Sequence, residues 1–226
     1  MNNTENKYAL IVAGGSGVRM GASIPKQFLL LNNRPVLMNT LDVFYNFDSS
    51  LNIILVLPSD QIENWKLLMG QYNFHVPHRL ISGGQNRFES VKQGLTLINE
   101  DGLVAIHDGV RPLVTSKIIQ DGFEAAAKNG SAIAAIGLRD SIREKDEKGT
   151  KVRNRENYYL IQTPQTFRVD VIKKAYAMAQ GKDFTDDASV VEAAGLEVHL
   201  IEGSSINFKI TTPEDLQLAN ALLQSQ

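Results

Sequence analysis

The chain of 226 residues has no cysteine. Disulfides, thiolate zinc sites, iron–sulfur clusters and cysteine nucleophiles are therefore excluded. It has little net charge as well: 23 basic against 25 acidic residues leave −2, which argues against a nucleic-acid coat or a membrane-surface protein. Any affinity for phosphate must come from a local group of cations. No apolar run approaches the ~18 residues of a membrane span. The first residues, MNNTENKYAL, carry no apolar signal region. A cytoplasmic protein with no membrane or nucleic-acid partner is expected. At 43% hydrophobic the chain can bury a proper core. Its length suits one large α/β domain spanning 1–226 better than two.

The stretch Tyr8–Phe28, YALIVAGGSGVRMGASIPKQF, organises the rest. Tyr8–Ala13 is an apolar run with the length and residue types of a buried strand. It breaks into Gly14-Gly15-Ser16-Gly17, where the backbone can come close to a ligand. Arg19 and Lys26 follow, the latter directly after Pro25. Successive N–H groups in such a loop form an anion-binding concavity, and two cations beside it suit a polyphosphate. The loop is not a Walker loop, because no Gly-Lys-Ser/Thr closes it. It also fails the dinucleotide fingerprint, running Gly15-x-Gly17-x-x-Met20 with no acid about 20 residues on.

Further strands are predicted over Asn52–Leu57, His78–Ser82, Leu103–His107, Ser131–Leu138, Glu197–Ile201 and Phe208–Thr211. Helices are predicted over Pro35–Phe47, from Asp60 through Met69, from Asn86 to Ile98, over Ser116–Lys128, near Val169–Met178 and from Thr185-Asp186. Thr212-Pro213-Glu214-Asp215 starts a last helix, with an N-cap, a first-turn proline and two acids. Strands without polar alternation, separated by amphipathic helices, indicate a doubly wound, mostly parallel sheet covered on both faces. Right-handed crossovers then bring the loops after strands to one edge. Gly14–Gly17, Gly83–Arg87 and His107–Arg111 should meet there. The charged segment 139–159, with its Lys148-Gly149 turn, reads as a weak hairpin: either a flexible loop or an arm reaching a second subunit.

Chemistry is expected at three places. Gly83-Gly84-Gln85-Asn86-Arg87 can present backbone groups to a nucleobase, although Asn86 could simply cap its helix. Asp108 at a strand end beside a phosphate loop suits a Mg²⁺-directed carboxylate, since Mg²⁺ takes one or two carboxylates plus substrate phosphates. Arg111 could grip a phosphate bidentately or merely make a turn contact with Asp108. Lys209, between Phe208 and Ile210, needs a reason to sit there. His107 reads as structural, and the His75–His78 stretch lacks companion metal ligands.

Taken together, AGGSGVRMG with PKQF, GGQNRFESV, HDGVRP, TPQ and NFKITTPEDL occur in order from Ala9 to Leu222. In this the chain resembles the 2-C-methyl-D-erythritol 4-phosphate cytidylyltransferases, whose fold is the Rossmann-like nucleotidyltransferase fold. The resemblance implies that Ala13, Gly14, Gly15 and Gly17, with Arg19 and Lys26, hold a CTP triphosphate. It implies that Gly84, Gln85 and Ser90 read cytosine and ribose, with Arg87 supporting their loop. Asp108 would lie near acceptor and Mg²⁺, while Arg111, Thr163 and Lys209 would line the acceptor site. Arg19, Lys26 and Lys209 are the implied catalytic cations. Ser141 and Arg155 match arm positions that reach the acceptor of a neighbouring subunit, which implies a homodimer. The family commonly has Asp-Ala-Ala-Arg where Asp108-Gly109-Val110-Arg111 stands, threonine at Ser141, and an acid at Ile206. HDGVRP also occurs in ribitol-5-phosphate cytidylyltransferases, so that polyol phosphate is the alternative acceptor. A non-catalytic nucleotide-binding protein is disfavoured because Lys26, Asp108 and Lys209 are all kept.

Overall fold

The computed structural model describes residues 6–14, 24–180 and 184–224. Its elements in chain order are β1 (Lys7–Val12), two short strands β2 (Leu30–Leu31) and β3 (Arg34–Pro35), α1 (Val36–Phe47), β4 (Asn52–Leu57), α2 (Ile62–Gln71), β5 (Arg79–Ser82), α3 (Arg87–Leu95), β6 (Leu103–Asp108), α4 (Ser116–Asn129) and β7 (Ser131–Gly137). Then come β8 (Ile142–Asp146), β9 (Gly149–Arg153), β10 (Tyr159–Arg168), α5 (Val169–Met178), α6 (Asp187–Ala193), β11 (Leu200–Glu202) and α7 (Pro213–Gln224).

One seven-stranded sheet runs in the order β11-β7-β10-β6-β1-β4-β5. All its pairings are parallel except those of β10, which is antiparallel to both β6 and β7. Strand β1 shows why the apolar runs lack alternation. Ala9 and Ile11 pack with Leu41, Phe44, Trp65 and Ile118 on one face. Tyr8, Leu10 and Val12 pack with Phe88, Val91, Ile172 and Val191 on the other. A strand buried on both faces has no position left for a polar residue. A third, smaller cluster (Leu31, Val36, Val110, Leu113, Ile210, Ala219) fastens α7 beneath the site.

Three expectations are corrected. The segment Phe208–Thr211 is not a strand; it is held instead by the Ile210 N–H donating to the Val110 carbonyl at 2.9 Å. The predicted strand at Glu197–Ile201 is shorter and later, Leu200–Glu202. The long strand β10 was not foreseen, because Pro164 argues against a central strand. Its register against β7 shifts between Ile161 and Gln165. That irregularity is where a residue without an N–H can sit, and it turns Thr163 towards β6. Strands β8 and β9 form a separate two-stranded hairpin that pairs with no other strand, its residues nearly all exposed.

Candidate active site

Strand β1 continues through crossovers to β4 on one side, while β6 lies on its other side, so the chain reverses its winding between β1 and β6. In open α/β sheets, ligands bind beyond the carboxyl ends of strands at such a point. A cleft of ≈ 170 Å³ opens there, bordered by Ala13 and Gly14 after β1, Gly84 to Arg87 and Ser90 around the start of α3, Asp108 at the end of β6, and Lys26 and Lys209. Gly14, where the first expected loop begins, thus meets the other two expected loops at one edge. Gly15, Gly17 and Arg19 lie outside the described residues.

The wall made by α3 explains its glycines. A Cβ on Gly84 would fall 2.3 Å from the Glu89 Cβ, and one on Gly83 would fall 2.7 Å from the Ser90 Oγ. The Asn86 Oδ1 accepts from the Glu89 N–H at 2.8 Å, while the Glu89 carboxylate accepts from the Gln85 N–H at 2.9 Å. Asn86 therefore caps the helix, as the plainer reading had it, and in doing so fixes the loop that borders the cleft. The Ser90 hydroxyl donates to the Asn86 carbonyl. Lys26 begins a 3₁₀ turn after Pro25 and is buried at the cleft's side.

Asp108 is the electrostatic centre. Lys209 Nζ lies 3.1 Å from its carboxylate, Arg111 Nε 3.2 Å and Arg87 Nε 3.6 Å. Burial pushes this carboxyl up, but Lys209, Arg87 and Arg111 outweigh it and hold it well below the usual carboxylate range. Lys209 has its reason: it answers a buried acid. The Asp108–Arg111 turn contact is real, and the Arg111 guanidinium also donates to the Asn207 carbonyl at 2.8 Å.

A second cleft of ≈ 270 Å³ adjoins the first. It shares Arg87, Asp108 and Lys209 with it and adds Arg111, Thr163, Gln165 and Asp186. Thr163 lines this cleft, and its hydroxyl is turned inward: its oxygen accepts from the Asp108 N–H at 3.0 Å and lies 3.1 Å from His107 Nδ1. His107 is fully buried, and burial pushes it down to about 4 despite the Arg111 carbonyl beside it. Its structural role is thereby visible. Ser141 and Arg155 border neither cleft; both are exposed at the hairpin's base, where Arg155 donates to the Arg139 carbonyl.

Asp187 and Tyr176 had no sequence signal, whereas Gln165 stands in the TPQ motif. Asp187 is fully buried and holds Arg87 through two hydrogen bonds of 3.0 and 2.6 Å, while the Tyr176 hydroxyl donates to the same carboxylate at 2.6 Å. Gln165 accepts from the Asp187 and Ala188 N–H groups, both at 2.9 Å, so it caps α6. Asp187 is 100 residues from Arg87 in sequence, which no local pattern spans. Among the described residues no three His, Asp or Glu side chains gather as metal ligands. Asp108 is the carboxylate that borders both clefts, and its neighbours are the cations Lys209, Arg111 and Arg87.

A family model described as 2-C-methyl-D-erythritol 4-phosphate cytidylyltransferase matches residues 8–225. The protein of that name from Bacteroides fragilis is 48% identical over 96% of this chain and 99% of its own. That from Halalkalibacterium halodurans is 40% identical over 96% and 97%. The crystal structure of 4-diphosphocytidyl-2C-methyl-D-erythritol synthase from Anaerococcus prevotii superposes with a TM-score of 0.83 at 32% identity, covering 97% of this chain and 99% of that one. The Thermus thermophilus cytidylyltransferase gives 0.78 at 30%, with the same coverage.

Proposed function

The chain belongs to the 2-C-methyl-D-erythritol 4-phosphate cytidylyltransferase family, and from this we infer its reaction. It transfers the cytidylyl group of CTP to 2-C-methyl-D-erythritol 4-phosphate, releasing pyrophosphate and giving 4-diphosphocytidyl-2-C-methyl-D-erythritol. The observation that carries this reading is the family match over almost the whole chain. The pair of clefts meeting at Asp108 supports it, because a group transfer needs a donor site and an acceptor site that share a wall. Ribitol 5-phosphate as acceptor is not favoured, since the full-length relatives at up to 48% identity carry the methylerythritol name.

In this reading the cleft beside Gly14, Gly84, Gln85 and Ser90 takes CTP, and the cleft beside Arg111 and Thr163 takes the acceptor. An oxygen of the acceptor's phosphate attacks the α-phosphorus in line, and pyrophosphate leaves on the opposite side. That oxygen is already anionic, so no general base is required. The site must supply position and charge compensation for a crowded anionic transition state. Lys26 and Lys209, both on the wall of the first cleft, supply positive charge, and Arg19 is assigned to the same task. Asp108 with the phosphate oxygens would hold Mg²⁺, whose contribution is to neutralise charge between the phosphates.

The same reading makes the protein a cytoplasmic homodimer. Its support is the exposed run Tyr158–Ile161 and the 70% exposed Val152 on a hairpin that pairs with no other described strand. No described helix is long and apolar enough to cross a membrane. The deciding experiment is pyrophosphate release with CTP and Mg²⁺, with each polyol phosphate supplied separately. Turnover with methylerythritol 4-phosphate alone is expected; turnover with ribitol 5-phosphate alone would reassign the acceptor, and silence with both would refute the transfer.

A further inference from the structure

Four residues beneath Asp108 form a closed circuit of hydrogen bonds. His107 Nδ1 lies 3.1 Å from the Thr163 hydroxyl. The Thr163 carbonyl accepts from Asn207 Nδ2 at 2.9 Å. The Asn207 carbonyl accepts from the Arg111 guanidinium at 2.8 Å. The Arg111 carbonyl, 3.1 Å from His107 Nε2, completes the ring. Its direction is fixed by chemistry. A carbonyl can only accept, so Nε2 carries the imidazole proton and Nδ1 is a bare acceptor. The Thr163 hydroxyl must then donate to Nδ1, which leaves its oxygen free to accept from the Asp108 N–H.

The ring joins three segments distant in sequence: the end of β6, the irregular part of β10, and the non-strand segment before α7. The three charged groups at the junction of the clefts, Asp108, Arg111 and Lys209, stand on two of them. His107 and Asn207 are fully shielded from solvent and Thr163 almost so. Phe44 packs edge-on against the imidazole, centroids 4.9 Å apart, so the ring cannot readily flip. Inside a low-dielectric interior such a circuit is stiff, and loss of one member leaves its neighbours unpaired.

We propose that His107 is a positioning residue for the transfer: with Thr163 it closes the hydrogen-bonded circuit that sets where Asp108, Arg111 and Lys209 stand. Thr163, which also borders the second cleft, acts through this circuit by its hydroxyl. His107→Phe fills the imidazole's space and removes both links. His107→Gln keeps a donor for the Arg111 carbonyl but loses the acceptor for Thr163. Thr163→Val removes the same link from the other side.

The proposal rests on the transfer activity argued above, and the test is a double-mutant cycle with two readouts. In His107→Phe, kcat is expected to fall about 10- to 100-fold, the scale on which ångström misplacements act. The Kd for CTP measured by calorimetry without acceptor should stay within about threefold, because groups acting as one unit lose the chemistry without losing the separate nucleotide contacts. His107→Gln and Thr163→Val should each lose less, by similar factors, and the double variant no more than either alone. Wild-type kcat in these variants, losses that multiply, or a CTP Kd that rises by the factor by which kcat falls would overturn the proposal. Should the Phe variant not fold, the Gln–Val cycle decides alone. An inactive wild type would instead sink the transfer activity itself.

Discussion

Lys26 shows what a sequence can and cannot say about one side chain. Its place after Pro25 marked it as a candidate cation, and the fold puts it, buried, in the wall of the first cleft. Replacing it with alanine should lower kcat by about 10²–10³, as losing one preorganised electrostatic donor does; a change of only a few-fold in steady-state turnover would remove it from the mechanism. His78 was legible only as a histidine without metal-ligand companions. In the fold its Nε2 accepts from the Trp65 indole at 3.0 Å, so its proton sits on Nδ1, facing the Val76 carbonyl at 2.8 Å. Burial lowers its pKa, with the Val76 carbonyl opposing. Because the folded value lies below the unfolded one of about 6.5, the unfolded chain takes up more protons as pH falls, and stability declines below that pH. Urea unfolding followed by the fluorescence of Trp65, the one tryptophan, should show the decline. His78→Gln should remove that part of it, and an unchanged pH dependence would contradict the linkage.

At the scale of elements, local signals succeeded wherever the chemistry was local. The Asn86 cap and the Thr212–Asp215 start of α7 are readable because each acts within four residues. Strand β10 was hidden because its partners are β6 and β7, more than 20 residues away, and because its proline contradicts the local pattern. Helix α3 offers a test in which two effects oppose. Gly94 lies in its last turn, and alanine there should favour the helix by about 1 kcal/mol. A Cβ at that position would fall 2.3 Å from the Leu10 Cδ1 and 3.0 Å from the Val56 Cγ2, both wholly buried. Overpacking of this kind costs about 1–3 kcal/mol, so Gly94→Ala should lower stability in chemical denaturation. A stabilised variant would mean that α3 is less firmly seated on β1 than the structure has it.

At the scale of the whole molecule, the proposed homodimer would complete each site with Arg155 from the other subunit. A native mass of twice 25.0 kDa is expected by light scattering. A sharper test mixes inactive Lys26→Ala subunits with inactive Arg155→Ala subunits. In a two-fold dimer with shared sites, each mixed dimer has one intact site, so about a quarter of wild-type activity should return; no recovery after confirmed subunit exchange would exclude the shared site. The sequence by itself determined the parallel core, the edge where the loops after β1, β5 and β6 begin, and the family, because period, glycine punctuation and ordered motifs are written in neighbouring residues. Only the tertiary structure decided the antiparallel insertion of β10, the Asp187–Arg87 pair, the inward turn of Thr163 and the circuit through His107. The physical reason is the same for all four: each is a hydrogen bond or ion pair between residues far apart in the chain, favourable only once the sheet has brought them together and excluded water.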